Sequence, residues 1–323
     1  MKIVIPGGSG KVGAVLANAM HAAGHDVVVL SRQPSRAHWR MVSWDGATLG
    51  DWAAEFDDAD VVVNLAGRSV NCRYTVENRR AILDSRVLST RAVGEAIARA
   101  VRPPRVWLQA STATIYAHTY GSPNDERSGR LGGHEPDAPP SWAFSIDVAR
   151  AWERAFADVR TPRTRKVALR SAMIMSPESG GILDTLLTLV RRGLGGPAGD
   201  GRQFISWIHQ EDFVAAVMWL IAHDELDGIV NVASPKPLPN AEFMRVLRKE
   251  LGVPIGLTAT RWMLAIGAAF MRTETELILK SRRVVPGRLV DAGFVFKYPE
   301  WTDAARDLVG AWQRARTSES CAA

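Results

Sequence analysis

Hydrophobic positions in this chain fall into short unbroken runs, separated by longer stretches of helical period. Ile3-Val4-Ile5, Val27-Val28-Val29-Leu30, Met41-Val42, Val61-Val62-Val63, Val106-Trp107-Leu108 and Val167-Ala168-Leu169 are such runs. Runs this short and this rich in β-branched residues predict strands buried on both faces. Between the first two, Val12, Val15, Leu16, Ala19 and Met20 share one helical face, and Gly24 stands where that helix should stop. Ile82, Val87, Leu88, Val93 and Ile97 mark a long helix from Thr75 to about Val101, closed by Pro103-Pro104. Val148, Trp152 and Phe156 make residues 144–159 amphipathic. Strand alternating with helix predicts an α/β fold, a Rossmann-type doubly wound parallel sheet of about seven strands.

After Arg170 the alternation loosens. Residues 183–190 read as helix, 193–201 as a glycine-rich loop, 204–208 as extended chain and 228–233 as a returning strand. From Pro239 the pattern is mostly helical, with one strand-like patch at Gly293-Phe294-Val295-Phe296. The expected division is therefore a Rossmann domain over 1–170, rejoined by 205–234, and a smaller, mostly helical C-terminal lobe over 171–323.

The turn after the first strand carries the chemistry. Gly7, Gly10 and Gly13 are spaced three apart, with Ser9 among them. Glycine permits a tight turn and leaves no Cβ between the main chain and a pyrophosphate. Lys11, Val12 and Gly13, which open the helix, offer unpaired N–H groups and the positive end of its dipole. A dinucleotide site is the reading this favours over a ligand-free turn. The second strand ends in Ser31-Arg32, where NAD sites place an acid for the ribose hydroxyls. A guanidinium suits a 2′-phosphate, so Arg32, with Ser31, favours NADP(H). Asp45, after the third strand, is either an adenine neighbour or the first residue of an Asp-Gly turn. Leu65, Ala66 and Gly67, at the exit of the fourth strand, allow the nicotinamide-side ribose and phosphate to approach the backbone.

Composition narrows the class without changing it. The chain has 323 residues, 46% hydrophobic and 23% charged, with a formal charge of +6 from 40 basic and 34 acidic side chains. The excess is scattered in pairs such as Arg79-Arg80 and Arg191-Arg192, so no nucleic-acid surface is expected. Two cysteines, Cys72 and Cys321, the second in a Ser-rich tail expected to be disordered, support neither a disulfide scaffold nor a metal site. No apolar segment approaches the roughly 18 residues of a membrane span, and the chain opens directly on a strand. A cytoplasmic protein with a small-molecule substrate is expected, monomeric or dimeric.

The chain resembles the extended and atypical short-chain dehydrogenase/reductases, in particular the epimerase-like family with a C-terminal DUF1731 domain. The likeness is carried by GGSGKVG at 7–13, LSR at 30–32, NLAG at 64–67, the segment 79–86 ending Asp-Ser-Arg, and STATIY at 111–116. It continues in SWIH at 206–209 with Asp212, and in RRVVPGRL…GFVFKYP at 282–299, within a DUF1731-like segment over 239–312. The resemblance implies an NADP(H)-dependent oxidoreductase or epimerase-like enzyme acting on a small carbonyl or sugar-like substrate. It places Thr112 at the Ser/Thr position that orients the reacting oxygen. Members pair this residue with Tyr-x-x-x-Lys, whose tyrosine moves a proton and whose lysine lowers the tyrosine pKa. Here Ser145 and Ala149 stand at those positions, and the chain contains no Tyr-x-x-x-Lys.

Tyr116 is the substitute acid, with a packing tyrosine as the alternative. Arg170 either binds an anionic substrate or pairs with a carboxylate. His209 either faces substrate or is hydrogen-bonded at the lobe junction, and Asp212 is read as a helix cap. Trp142, Trp207 and Trp262 are read as packing residues. The rival function is a non-catalytic NADP(H)-binding sensor or interaction protein. An Arg32→Ala protein is expected to lose most of its preference for NADPH over NADH in a fluorescence titration; an unchanged preference overturns the role given to Arg32.

Overall fold

The structure, a computed structural model, describes residues 1–133, 135, 138, 139, 142–257 and 276–322. Trp262 lies outside the described residues. The strands are β1 (Lys2–Pro6), β2 (Asp26–Ser31), β3 (Arg40–Ser43), β4 (Val61–Asn64), β5 (Val106–Thr112), β6 (Arg165–Ser171), β7 (Met173–Met175), β8 (Phe204–Ile205), β9 (Trp207–His209), β10 (Gly228–Val232) and β11 (Leu238–Pro239). The helices used below are α1 (Lys11–Ala22), α2 (Val76–Arg99), α3 (Ala143–Asp158), α4 (Ile182–Arg191), α5 (Gln210–Ala222) and α6 (Asn240–Glu250), followed by a C-terminal helix, Trp301–Ala322. By its contacts the chain divides into two compact units. The first is Met1–Ile115 with Ala143–Ser171 and Val214–Asn231; the second is Tyr116–Trp142 with Ala172–Phe213 and Val232–Ala323.

The first unit is built on a seven-stranded sheet in the order β10-β6-β5-β4-β1-β2-β3. Pairings β1–β2, β2–β3, β1–β4, β4–β5 and β5–β6 are parallel, as the doubly wound reading requires. The order reverses at β1, which lies between β2 and β4. In such sheets the crevice beyond the carboxyl ends at the reversal receives ligands, so the topology selects the turn after β1 and the exit of β4. The apolar runs of the inner strands are buried: Ile3, Val4, Ile5, Val61, Val62 and Val63 are each 0% exposed, whereas Met41 and Val42 on the edge strand β3 are half-buried. Trp44, Trp52, Phe56, Trp107 and Phe156 fill the layer between sheet and helices, with Trp107 edge-on to Phe156 at 4.6 Å.

Helix α1 stops where its sequence indicates. Gly24 takes φ +80°, its N–H reaches the carbonyl of His21, and the His25 N–H reaches that of Met20. That pair of bonds satisfies the last carbonyls of the helix, and a left-handed glycine is the residue that permits it.

The second unit has its own core. Trp207, Phe243, Leu247, Trp301 and Leu308 are buried together with Leu183 and Leu187 of α4. Phe243 stacks on Trp301 at 4.0 Å, and Trp207 meets the same indole edge-on at 4.8 Å. The extended stretch at 204–208 forms two short strands, β8 against β11 and β9 against β7.

The patch at 293–296 is not a strand. Gly293 adopts φ +82°, Val295 is 83% exposed, and Phe294 and Phe296 pack edge-on against each other at 4.7 Å. Their alternation reflects this local pair and not a sheet. The Ser-rich tail read as disordered continues the C-terminal helix to Ala322.

Gly94 shows how tightly α2 is packed. A Cβ there would lie 2.5, 2.8 and 3.0 Å from Cγ1, Cγ2 and Cβ of Val159, so no rotamer of Val159 clears it. Alanine gains about 1 kcal/mol of helix propensity, against about 1–3 kcal/mol of overpacking. Gly94→Ala is expected to lower the melting temperature by a few degrees; a rise would mean the interface yields.

Candidate functional site

The site grows from the contact between the β1 turn and the β4 exit. Gly7 has φ +75°, and a Cβ on it would fall 2.6 Å from Ala66 Cα and 2.7 Å from Ala66 N. Backbone meets backbone there, and only glycine fits. Gly13 is equally constrained, with its Cβ direction 2.5 Å from Gly8 Cα, which brings α1 down onto the turn. Gly10 differs: a Cβ would meet only the Gly7 carbonyl oxygen, at 3.4 Å. It is the N-cap of α1 and supplies no side chain to the first turn, which contains no acidic residue either. On α2, by contrast, Thr75 caps the helix by accepting from the Asn78 N–H at 3.3 Å. The start of α1 therefore keeps its positive end for an anion. Lys11, Val12 and Gly13 form that first turn.

Neighbouring side chains fix this edge. Ser31 donates to Ser9 Oγ at 2.9 Å and accepts from the Gln33 N–H at 3.2 Å, tying the end of β2 to the glycine turn. Arg32 follows it, exposed, with Cδ 3.9 Å from the Cβ direction of Gly46. Asp45 forms the turn: its Oδ1 accepts from the N–H groups of Ala47 at 2.8 Å and Thr48 at 2.9 Å, and it also pairs with the Thr48 hydroxyl. Those bonds, the Thr48 hydroxyl first, hold its pKa below the ordinary carboxylate value.

At β4, Asn64 is 0% exposed and bridges two strands. Its Nδ2 donates to Gln109 Oε1 at 2.9 Å, and its Oδ1 accepts from the Ala66 N–H at 3.1 Å. The Leu65 N–H donates to the Pro6 carbonyl at 2.9 Å. Leu65, Ala66 and Gly67 are thus held as a fixed main-chain edge. Asn64–Gln109 joins residues 45 apart, a pairing that spacing does not announce.

At the end of β5, Thr112 accepts from the Thr114 N–H at 3.1 Å, and its own O–H has no acceptor among the described residues. Ser111 donates to Glu153 at 2.6 Å. Glu153 also takes Arg170 in a bidentate pair, Nε at 2.8 Å and Nη2 at 2.7 Å. Arg170 is 5% exposed, so of its two readings the carboxylate partner is the one present. Ala149, at the lysine position of the resemblance, is 0% exposed; Ser145 is half-buried.

Two candidates belong to the second unit. Tyr116 is 2% exposed, its ring edge 2.5 Å from the Cβ direction of Gly129, which is the environment of a packing tyrosine. His209 is 0% exposed. Its Nδ1 accepts from the Glu211 N–H at 3.1 Å, its Nε2 faces Asp307 Oδ2 at 3.2 Å, and Tyr298 covers the ring at 4.0 Å. Both nitrogens are engaged inside the unit, so a substrate role is replaced by a structural one. Asp212 does not cap a helix. Its carboxylate accepts from the N–H groups of Lys297 at 2.7 Å and Tyr298 at 2.9 Å. Sequence reading also missed Lys280, 2% exposed, whose pKa burial draws down to about 8.

A parallel sheet with its reversal at a glycine turn, an uncapped helix and a bare strand exit defines a dinucleotide-binding α/β protein of the Rossmann type. Residues 3–233 match the NAD dependent epimerase/dehydratase family, and the chain belongs to that family. Residues 260–308 match a domain of unknown function, DUF1731. The epimerase family protein SDR39U1 of Bos taurus is 30% identical, over 96% of this chain and all of that protein. The crystal structure of human SDR39U1 (isoform 2) with NADPH superposes with a TM-score of 0.82 at 28% identity, covering 95% of this chain and 99% of that one. A nucleoside-diphosphate sugar epimerase from Corynebacterium glutamicum gives 0.73 at 28% identity, covering 95% of this chain and 58% of that one. Among the described residues no group of side chains is arranged to hold a metal ion, and no helix is long and apolar enough to cross a membrane.

Burial keeps the His209 pKa below its ordinary 6.5, outweighing the pull of Asp307. The unfolded chain then takes up a proton at a higher pH than the native one. This contribution to stability is complete above about pH 6.5 and is lost as pH falls toward the native pKa. His209→Gln is expected to flatten the fall in melting temperature between about pH 7 and pH 5; an unchanged slope overturns the assignment.

Proposed function

We propose that this protein binds NADP(H) in its first unit and exchanges hydride with a small carbonyl or sugar-like substrate. The observation that carries the reading is the start of α1: helix N–H groups with no side-chain cap, beside a glycine that permits backbone contact with β4. Gly7, Gly10 and Gly13 with the N–H groups of Lys11 and Val12 would hold the diphosphate. Arg32 would face the 2′-phosphate, Ser31 would set the turn, and Asp45 would shape the loop beneath the adenosine. Leu65, Ala66 and Gly67 would line the nicotinamide half. NADPH in the related human structure supports the choice of cofactor.

The bound nicotinamide would supply or accept the hydride; the protein supplies position. Thr112 has a free O–H donor at the carboxyl end of β5 and would orient the reacting oxygen. The second unit, with its DUF1731 segment, would carry the substrate lobe. Neither Ser145 nor Ala149 can serve as a Tyr-Lys proton relay, and Tyr116 is packed. The proton is therefore left to solvent or substrate. The same observation favours the second reading, a protein that binds NADP(H) without turning it over.

Two measurements separate these readings. Titration with NADPH is expected to give saturable binding that Gly7→Ala abolishes; no affinity in the wild-type protein overturns both. A panel of carbonyl compounds followed at the NADPH absorbance band is expected to reveal turnover that Thr112→Ala lowers by about 10²-fold. Binding with no turnover across the panel selects the non-catalytic reading.

A further inference from the structure

Helix α2 treats its cations in two ways. On its outer face Arg80 pairs with Asp84 at 3.3 Å and Arg99 with Glu95 at 2.5 Å, both at i,i+4, while Arg91 is exposed to solvent. Arg79 and Arg86, seven residues apart and so on one face, have no carboxylate partner among the described residues.

Arg86 lies against the exit of β4. A Cβ built on Gly67 would sit 3.3 Å from Arg86 Cζ and 3.5 Å from Nη1. Nη1 donates to the carbonyls of Arg68 and Ile82, each at 3.0 Å, and the guanidinium rests over Trp152 with Cζ 5.0 Å from the ring centroid. Nε and Nη2 make no hydrogen bond to described residues. Burial lowers its pKa to about 10, so it stays charged at neutral pH. A desolvated cation whose neighbours are two carbonyls, the Trp152 ring and, electrostatically, Tyr74, with no carboxylate among the described residues, is incompletely compensated.

Arg79 lies at the mouth of α3. Its Nε donates to the Tyr74 carbonyl at 2.9 Å, and Cζ stands 4.8 Å from the Phe144 centroid and 5.9 Å from that of Tyr74. The two rings meet edge-on at 4.9 Å and hold the guanidinium half-buried. Both terminal nitrogens are without a partner among the described residues. That leaves the fork geometry that matches a carboxylate or phosphoryl group. Phe144 stands in the first turn of α3, which places the open fork at the start of that helix.

We propose that Arg79 and Arg86, on one face of α2, form an anion-recognition site, with Arg86 at the exit of β4 and Arg79 two helical turns before it, and that the substrate carries a carboxylate or phosphoryl group there. The location beside the cofactor rests on the dinucleotide reading; the anion site itself does not. The structural reason for two unneutralised, partly buried guanidinium groups on one face is then the ligand that completes them.

The full-length protein, with and without saturating NADPH, is titrated calorimetrically with malonate and separately with inorganic phosphate, at ionic strength matched with potassium chloride. Saturable binding of one of them is expected, which also distinguishes carboxylate from phosphoryl recognition. Arg79→Gln is expected to weaken it at least about tenfold, as loss of a charge-assisted bond does, while NADPH affinity stays within about threefold. Arg80→Gln removes the same charge from the outer face and is expected to leave anion binding unchanged. Arg86→Lys, which keeps the charge, is expected to bind better than Arg86→Gln.

Absence of saturable binding by the wild-type protein in both forms overturns the proposal, as does an Arg79→Gln protein that binds like wild type. Equal weakening by Arg80→Gln overturns it too, since only net charge would then matter. Arg79-dependent anion binding in a protein that does not bind NADPH would sustain this site and remove the cofactor reading alone.

Discussion

The architecture turns on one contact, main chain against main chain, between Gly7 and Ala66. Two parallel strands that leave the sheet in opposite winding directions open a crevice, and its width is set by how closely their exits approach. With a Cβ direction 2.6 Å from Ala66 Cα, residue 7 admits no side chain. The positive φ raises the cost for any other residue. The rest of the edge protects that contact. Asn64 spans from Gln109 to the Ala66 N–H inside the sheet, and Ser31 ties β2 to Ser9. What remains is a helix start with no side-chain cap and no acid in its first turn, which suits a diphosphate and which a tightly capped helix would deny it.

Features set by neighbours in sequence were legible, and those set by distant partners were not. The stop at Gly24 is a matter of six consecutive residues, Met20 to His25, so it could be read directly. The buried strands were equally plain, because burial on both faces leaves unbroken apolar runs. His209 and Arg170 were ambiguous, and Asp212 was misread, because each is a polar residue whose role is decided by its acceptor or donor. Asp307 lies 98 residues from His209, and Lys297 lies 85 from Asp212. A capping reading of Asp212 is the locally sensible one; two backbone N–H groups from far along the chain outcompeted it.

The misreading at 293–296 has a different origin. Alternating Phe-Val-Phe is a strand pattern only when a neighbouring strand pairs with it. Here two phenyl rings satisfy each other, and a left-handed Gly293 turns the chain before the segment. The tail errs the other way: a Ser-rich composition argued for disorder, but helical period continues into it. Composition and alternation are averages over neighbours, and both fail where one local contact decides the geometry.

The replacement of lysine by Ala149 changes more than one position. In the Tyr-x-x-x-Lys arrangement the lysine ammonium is a cation that tunes a neighbouring acid. Ala149 is sealed at 0% exposure, and of the cations on α2 it is Arg86 that lies against the exit of β4. Arginine is a different kind of cation. Even with burial drawing it down to about 10, the Arg86 guanidinium keeps its proton at neutral pH, so it can hold an anion but not relay a proton. On the proposed reading, such a cation would attract, orient and stabilise negative charge, and the proton of any reduction would come from water or from the substrate itself.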